Sequence, residues 1–185
     1  MTLSVADRSA SVATFRYIEV YLMETLARWV PTSPEMEVKV LFGEHIWDLA
    51  QHADALGRRT YELRAPLQHS RRPTDSYVDV LEQLAAQDEV PERLAAVYDV
   101  ALPALGKRYE EYLAVTDKLM DAPTVRILER AAADLRRMID DGRELRGSRL
   151  QLRAADAAKV SRLEQAEAAV ADVVAPAERS VEVAQ

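Results

Sequence analysis

Residues 43–56 read GEHIWDLAQHADAL and hold two of the chain's three histidines. His45, Asp48 and His52 follow one another at intervals of four residues or fewer, three and then four. Those intervals match the α-helical repeat, so the three side chains share one face. Val38, Leu41 and Leu63 lie on the same face. The polar trio therefore takes stations that a core-facing helix usually gives to Leu or Val. The preceding stretch, PTSPEME (31–37), breaks the chain and restarts it. Ser33 reads there as an N-cap and Pro34 as the first helical residue. Glu35 and Glu37 complement the helix dipole. A long helix is predicted from there to about Arg64.

The same periodicity organises the rest of the chain. Residues 1–10 read as a flexible lead-in. From Ser11 to Val30, the positions Val12, Phe15, Leu22, Leu26 and Trp29 form a helical stripe. APLQHSRRPTDS (65–76) is a polar connection, and its His69 is given no role. SYVDVLEQLAAQ (76–87) predicts a short helix. A further helix is expected over Glu92–Met120, with a kink at Pro103, which lacks a backbone N–H. Asp121 can cap the next helix, whose stripe is Thr124, Leu128, Ala131, Leu135, Met138, Gly142 and Leu145. A last, alanine-rich helix is predicted over Ser148–Val174, with Leu152, Val160, Leu163, Ala166, Val170 and Val173 on its stripe. It can pack across the bundle or form a homodimer with a second subunit. Residues 175–185 read as a flexible tail. The prediction is an all-α fold: one antiparallel four-helix bundle over 11–174, with an additional C-terminal helix.

Composition bounds the function. The 185 residues are 49% hydrophobic and 30% charged, with only five glycines, a balance that favours helices in a soluble domain. The formal charge of −7 argues against a nucleic-acid binder, which needs a basic surface. Arg58-Arg59, Arg71-Arg72 and Arg136-Arg137 are local basic pairs beside acids or on solvated faces. With no cysteine, disulfides, thiolate zinc sites and cysteine nucleophiles are excluded. No basic segment followed by an apolar run opens the chain, and no apolar stretch reaches the ~20 residues of a membrane span. A cytoplasmic protein without membrane contact is expected.

Glu19 is the first carboxylate with chemical interest. It stands four residues after Phe15 and three before Leu22, on the apolar face of its helix. A carboxylate there must be paired, hydrogen-bonded, coordinated or protonated. The plainest arrangement is a salt bridge to Arg59 or Arg108. His45, Asp48 and His52 are ligand types for iron, zinc or manganese. They also suit a general base with its orienting carboxylate, or a polar layer that sets helix register.

The segments YIEVYLMETLARWV (17–30), SPEMEVKVLFGEHIWDLAQHADALGRR (33–59) and DAPTVRILERAAADLRRMIDDG (121–142) resemble the bacterial ferritin-like superfamily. The resemblance covers about residues 12–145. It implies a carboxylate-bridged di-metal core in which each half of the bundle gives a Glu and a Glu-x-x-His pair. Glu19 matches the first-half glutamate and His52 the first-half histidine. The acid expected three residues before His52 is Leu49, with Asp48 one residue off. Leu135 and Met138 stand where the second acid and histidine belong. Glu110 or Glu111 is the nearest source of the remaining carboxylate, and Asp134 and Glu129 fall off the stripe. The resemblance thus implies a degenerate di-metal site.

Three readings follow. In the first, the interior cluster of His45, Asp48, His52 and Glu19 binds or acts on a small organic molecule without a standard di-iron centre. Trp29, Trp47, Tyr98, Tyr109 and Tyr112 are then candidates for a pocket lining. In the second, iron or another divalent metal is held by Glu19, His52 and Asp48 or His45, and the protein is an oxygenase or oxidase. In the third, the bundle is a non-catalytic scaffold or partner subunit.

Overall fold

The computed structural model describes residues 3–148 and 152–176. The fold is all-α, with no strand among the described residues. Helix α1 spans Val5–Trp29 and α2 spans Met36–Glu62. A short 3-10 turn, Val30–Thr32, joins them. The lead-in expected over residues 1–10 is helical from Val5. Ser4 and Asp7 form a reciprocal capping box there, which satisfies backbone donors that would otherwise fray.

Helix α2 starts without the predicted Ser33 cap. Ser33 is buried and its hydroxyl donates to the Trp29 carbonyl, so it closes α1 instead, and Glu35 holds the N-cap position of α2. After the connection come α3 (Asp75–Ala85), α4 (Val90–Ala95), a π-helical turn (Ala96–Ala101) and α5 (Leu102–Val115). One long irregular helix was expected over that last stretch. The irregularity falls just before Pro103: the Leu102 N–H bonds to the Val97 carbonyl, five residues back, and proline follows where no donor is available. Helix α6 runs Ala122–Ser148 and α7 runs Ala157–Ala168. The last helix is shorter than the predicted Ser148–Val174. Residues 177–185 of the expected tail lie outside the described residues.

Helices α1, α2, α5 and α6 enclose the core. It holds Phe15, Ile18, Leu22 and Leu26 of α1, Phe42, Leu49 and Leu56 of α2, Leu105 and Tyr109 of α5, and Leu128, Leu135 and Met138 of α6. Paired positions show that α2 and α6 are antiparallel: His45 meets Asp141, and His52 meets Asp134. Helix α7 packs on α3, α4 and the π-helical turn, burying Leu163, with Val160 and Ala166 against the same core. Its larger apolar residues, Leu163 and Val160, thus pack within the chain. No helix among the described residues is long and apolar enough to cross a membrane.

Candidate functional site

Glu19, His45 and His52 all point into the bundle and are buried. Glu19 does not meet either expected arginine. Arg59 pairs with Asp121 at 2.9 Å, and Arg108 pairs with Glu167. Instead the Tyr109 hydroxyl donates to Glu19 Oε1 at 2.5 Å, and His52 Nδ1 lies 3.3 Å from the same oxygen, off the line of a good hydrogen bond. On the other side of the ring, His52 Nε2 is 3.2 Å from Asp134 Oδ2. One imidazole thus stands between carboxylates from α1 and α6.

Asp48 departs from the expected inward cluster. It is half-buried at the edge of α2 and accepts from Arg137 at 2.8 Å. Arg137 reaches Asp134 and Asp141 as well, each at 3.4 Å. Asp134, Arg137 and Asp141 of α6 repeat the three-then-four spacing of His45, Asp48 and His52 on α2, so the two antiparallel rows interlock. Asp134 lies off the buried stripe of α6. A position flanking the stripe still reaches across when the facing helix carries a polar side chain at the same level.

His45 belongs to a separate pair of contacts. Its Nδ1 is 2.8 Å from the Tyr98 hydroxyl and its Nε2 is 3.4 Å from Asp141 Oδ2. Asp141 can only accept, so the neutral tautomer with hydrogen on Nε2 satisfies both contacts, and Tyr98 donates to Nδ1. Burial pulls the His45 pKa below its ordinary value despite Asp141. Burial also acts against charge on His52, but the Glu19 and Asp134 carboxylates outweigh it and hold its pKa above the ordinary value. Burial first, then Glu19, pushes Tyr109 well up, and burial does the same for Tyr98, so both phenols keep their protons.

Two histidines two turns apart thus carry opposite proton preferences. Tyr98, Tyr109, Asp134, Arg137 and Asp141 complete the site. The tyrosines were visible in the sequence as aromatic residues, but no spacing on α5 shows that Tyr109 aims at a carboxylate on α1.

The donor set does not fit a metal centre. Among the described residues, no three His, Asp or Glu side chains converge as an ion requires. Glu19 and Asp134 sit on opposite nitrogens of His52, so they do not face a common point, and Asp48 is turned to Arg137. Glu110 and Glu111 are exposed, while Leu49, Leu135 and Met138 are buried in the core. Within this layer, Glu19 Oε2 and His52 Nδ1 have no hydrogen-bond partner among the described residues.

A sizeable cavity lies beside this layer, not in it. A chamber of about 830 Å³ opens between the first half of α1, the second half of α5 and the segment 167–176. Phe15 and Tyr112 form part of its wall together with Arg71, Lys107 and Arg108. Phe15 packs edge-on against Tyr109, ring centres 5.0 Å apart, and Tyr109 carries the bond to Glu19. Neither this chamber nor the three smaller cavities lined by His69, Glu89 and Glu110 have Glu19, His45 or His52 in their walls. No protein family model, no curated protein and no solved structure matches the chain.

Proposed function

We propose that this chain is a ferritin-like bundle whose di-metal site is degenerate, and that it binds a small organic molecule without a standard di-iron centre. The resemblance calls for a carboxylate on α5 and an acid and a histidine on α6. Tyr109, Leu135 and Met138 stand at those levels, and a phenol and two apolar side chains offer a cation almost nothing. The observation that carries the binding reading is the chamber bounded by Phe15 and Tyr112. Its volume falls within the ~300–1,000 Å³ usual for small-molecule sites, and its wall is mixed apolar and charged. Tyr109 lies directly behind Phe15, so displacement of that ring brings a bound molecule to Tyr109, Glu19 and His52, which can hold or pass one proton.

A screen of organic acids and amines by thermal shift, with metal analysis of the purified protein, tests this reading. A ligand that raises the melting temperature, and whose effect is lost in Phe15→Trp, supports it. Two bound metal ions per chain would overturn it.

A specific observation favours a second reading, in which the bundle is a non-catalytic scaffold. The histidines and Glu19 are closed from solvent, and four of their six polar side-chain atoms are satisfied within the chain. A polar layer of this kind can serve only to fix the register of α2 against α6. Under that reading the same screen finds no ligand.

A further inference from the structure

Helix α2 presents a second stripe, opposite the one that enters the core. Met36, Val40, Gly43 and Trp47 follow one another at intervals of four, three and four residues, and all four are exposed. Met36 and Trp47 are 66% exposed and Val40 is 55% exposed. Three of the large apolar side chains left in water thus lie on one line of one helix. Ala50 continues the line, and Asp54 ends it, its carboxylate held by Arg58 at 2.9 Å. Alternation of four and three is the repeat of a coiled-coil seam, and none of the described residues covers it.

We propose that this stripe is a self-association surface and that its occupant is the α2 helix of a second copy, aligned parallel about a twofold axis. Two features select that partner. The first is shape. Trp47 is flanked at the preceding and following seam positions by Gly43 and Ala50. A Cβ at Gly43 would meet no atom within 4 Å, so the backbone there is bare. Knobs-into-holes packing of parallel helices seats each tryptophan against the partner's seam positions 43, 47 and 50, and the small residues make room for two indoles at one level.

The second feature is charge. Lys39 flanks the seam on the side toward α1, while Glu37 and Glu44 flank it on the side toward α6. Neither Lys39 nor Glu44 has an ion-pair partner among the described residues. A parallel copy sets Lys39 beside Glu44 of the partner, twice by symmetry. An antiparallel copy sets the glutamate flanks against each other, which is repulsive. The same acidic flank, with a net charge of −7, repels an anionic lipid surface or nucleic acid.

Sedimentation equilibrium of the full chain across the micromolar range tests this. The expected result is a concentration-dependent monomer–dimer equilibrium, accompanied by a blue shift of tryptophan emission, since Trp29 is already buried and Trp47 alone changes environment. Trp47→Lys should give a monomer with an unchanged helical spectrum and thermal unfolding at low concentration, because the side chain makes no core contact. Lys39→Glu should weaken the dimer at least about tenfold, and Lys39→Glu with Glu44→Lys should restore it to within a few-fold. A wild-type monomer at high micromolar concentration would overturn the proposal. So would a dimer indifferent to Trp47→Lys, or a double variant no tighter than Lys39→Glu alone.

Discussion

His52 shows how much one buried ring is asked to do. It separates carboxylates on two helices, and its removal leaves Glu19 with only the Tyr109 hydroxyl. His52→Ala is expected to destabilise the fold by about 1–3 kcal/mol, the usual cost of stranding a buried polar group. Changing the whole layer at once, Glu19→Leu with His52→Leu and Tyr109→Phe, should recover most of that loss in urea denaturation, because no stranded partner remains. The two histidines also give opposite pH responses. His52 titrates above its unfolded value of 6.5, so its contribution is full below about pH 6.5 and is lost as pH rises through its folded value. His45 titrates below 6.5, so its contribution is present above that pH and is lost as pH falls. In melting curves across pH, His52→Gln should flatten the alkaline side and His45→Gln the acid side. A ligand that takes up or gives a proton at His52 should shift that alkaline limb.

The helices meet closely at Gly142, and there element packing outweighs helix propensity. A Cβ on Gly142 of α6 would overlap the ring of Tyr98, which the π-helical turn directs at His45. Gly142→Ala should therefore cost about 1–3 kcal/mol, as overpacking does, and should disturb the His45 resonance in NMR spectra. Gly106 of α5 has open space around it, so Gly106→Ala should stabilise the protein by roughly 0.5–1 kcal/mol through helix propensity alone. Chemical denaturation of the two variants, side by side, distinguishes the sites. Element type was legible from the sequence because apolar residues recur at the helical interval along α1, α2, α5 and α6. Element boundaries were less so. Ser33 has the right chemistry to cap α2, yet the turn at Pro31 brings its hydroxyl to the Trp29 carbonyl, and the local hydrogen bond wins.

At the scale of the molecule, two ionic anchors tie distant segments together. Arg59 of α2 meets Asp121, which also accepts from Tyr112, Thr116 and Thr124 and so joins α2, α5 and α6 at one end of the bundle. Burial disfavours charge on Asp121, but those donors outweigh it and hold its pKa below 3.8. Arg59→Met should cost about 3–5 kcal/mol, the penalty for breaking a buried pair from one side. Because the Asp121 pKa is lowered in the folded state, its contribution is present above about pH 3.8 and lost as pH falls further, so Asp121→Asn should blunt acid unfolding. The second anchor holds the C-terminal part. Glu92 of α4 takes both arms of Arg153 and the backbone N–H of Asp156, and the Arg153 bonds lower its pKa to about 2. Glu92→Gln should loosen α7, read as faster amide exchange over 157–168 with the rates in α1 and α2 unchanged.

Periodicity, charge and the lack of cysteine sufficed to establish an all-α chain with Glu19, His45 and His52 turned inward, because the side a residue faces is a local property of its spacing along one helix. Which groups those residues meet was decided only in three dimensions. Tyr109, Tyr98, Asp134 and Arg137 lie 53 or more residues along the chain from the groups they meet, and their approach depends on the rotation and register of the later helices against α1 and α2. Asp48 shares the three-and-four spacing of its neighbours, yet it ends at the rim. It lies on the edge of the stripe, and Arg137 on the facing helix offers a stronger partner in water than the apolar interior can supply.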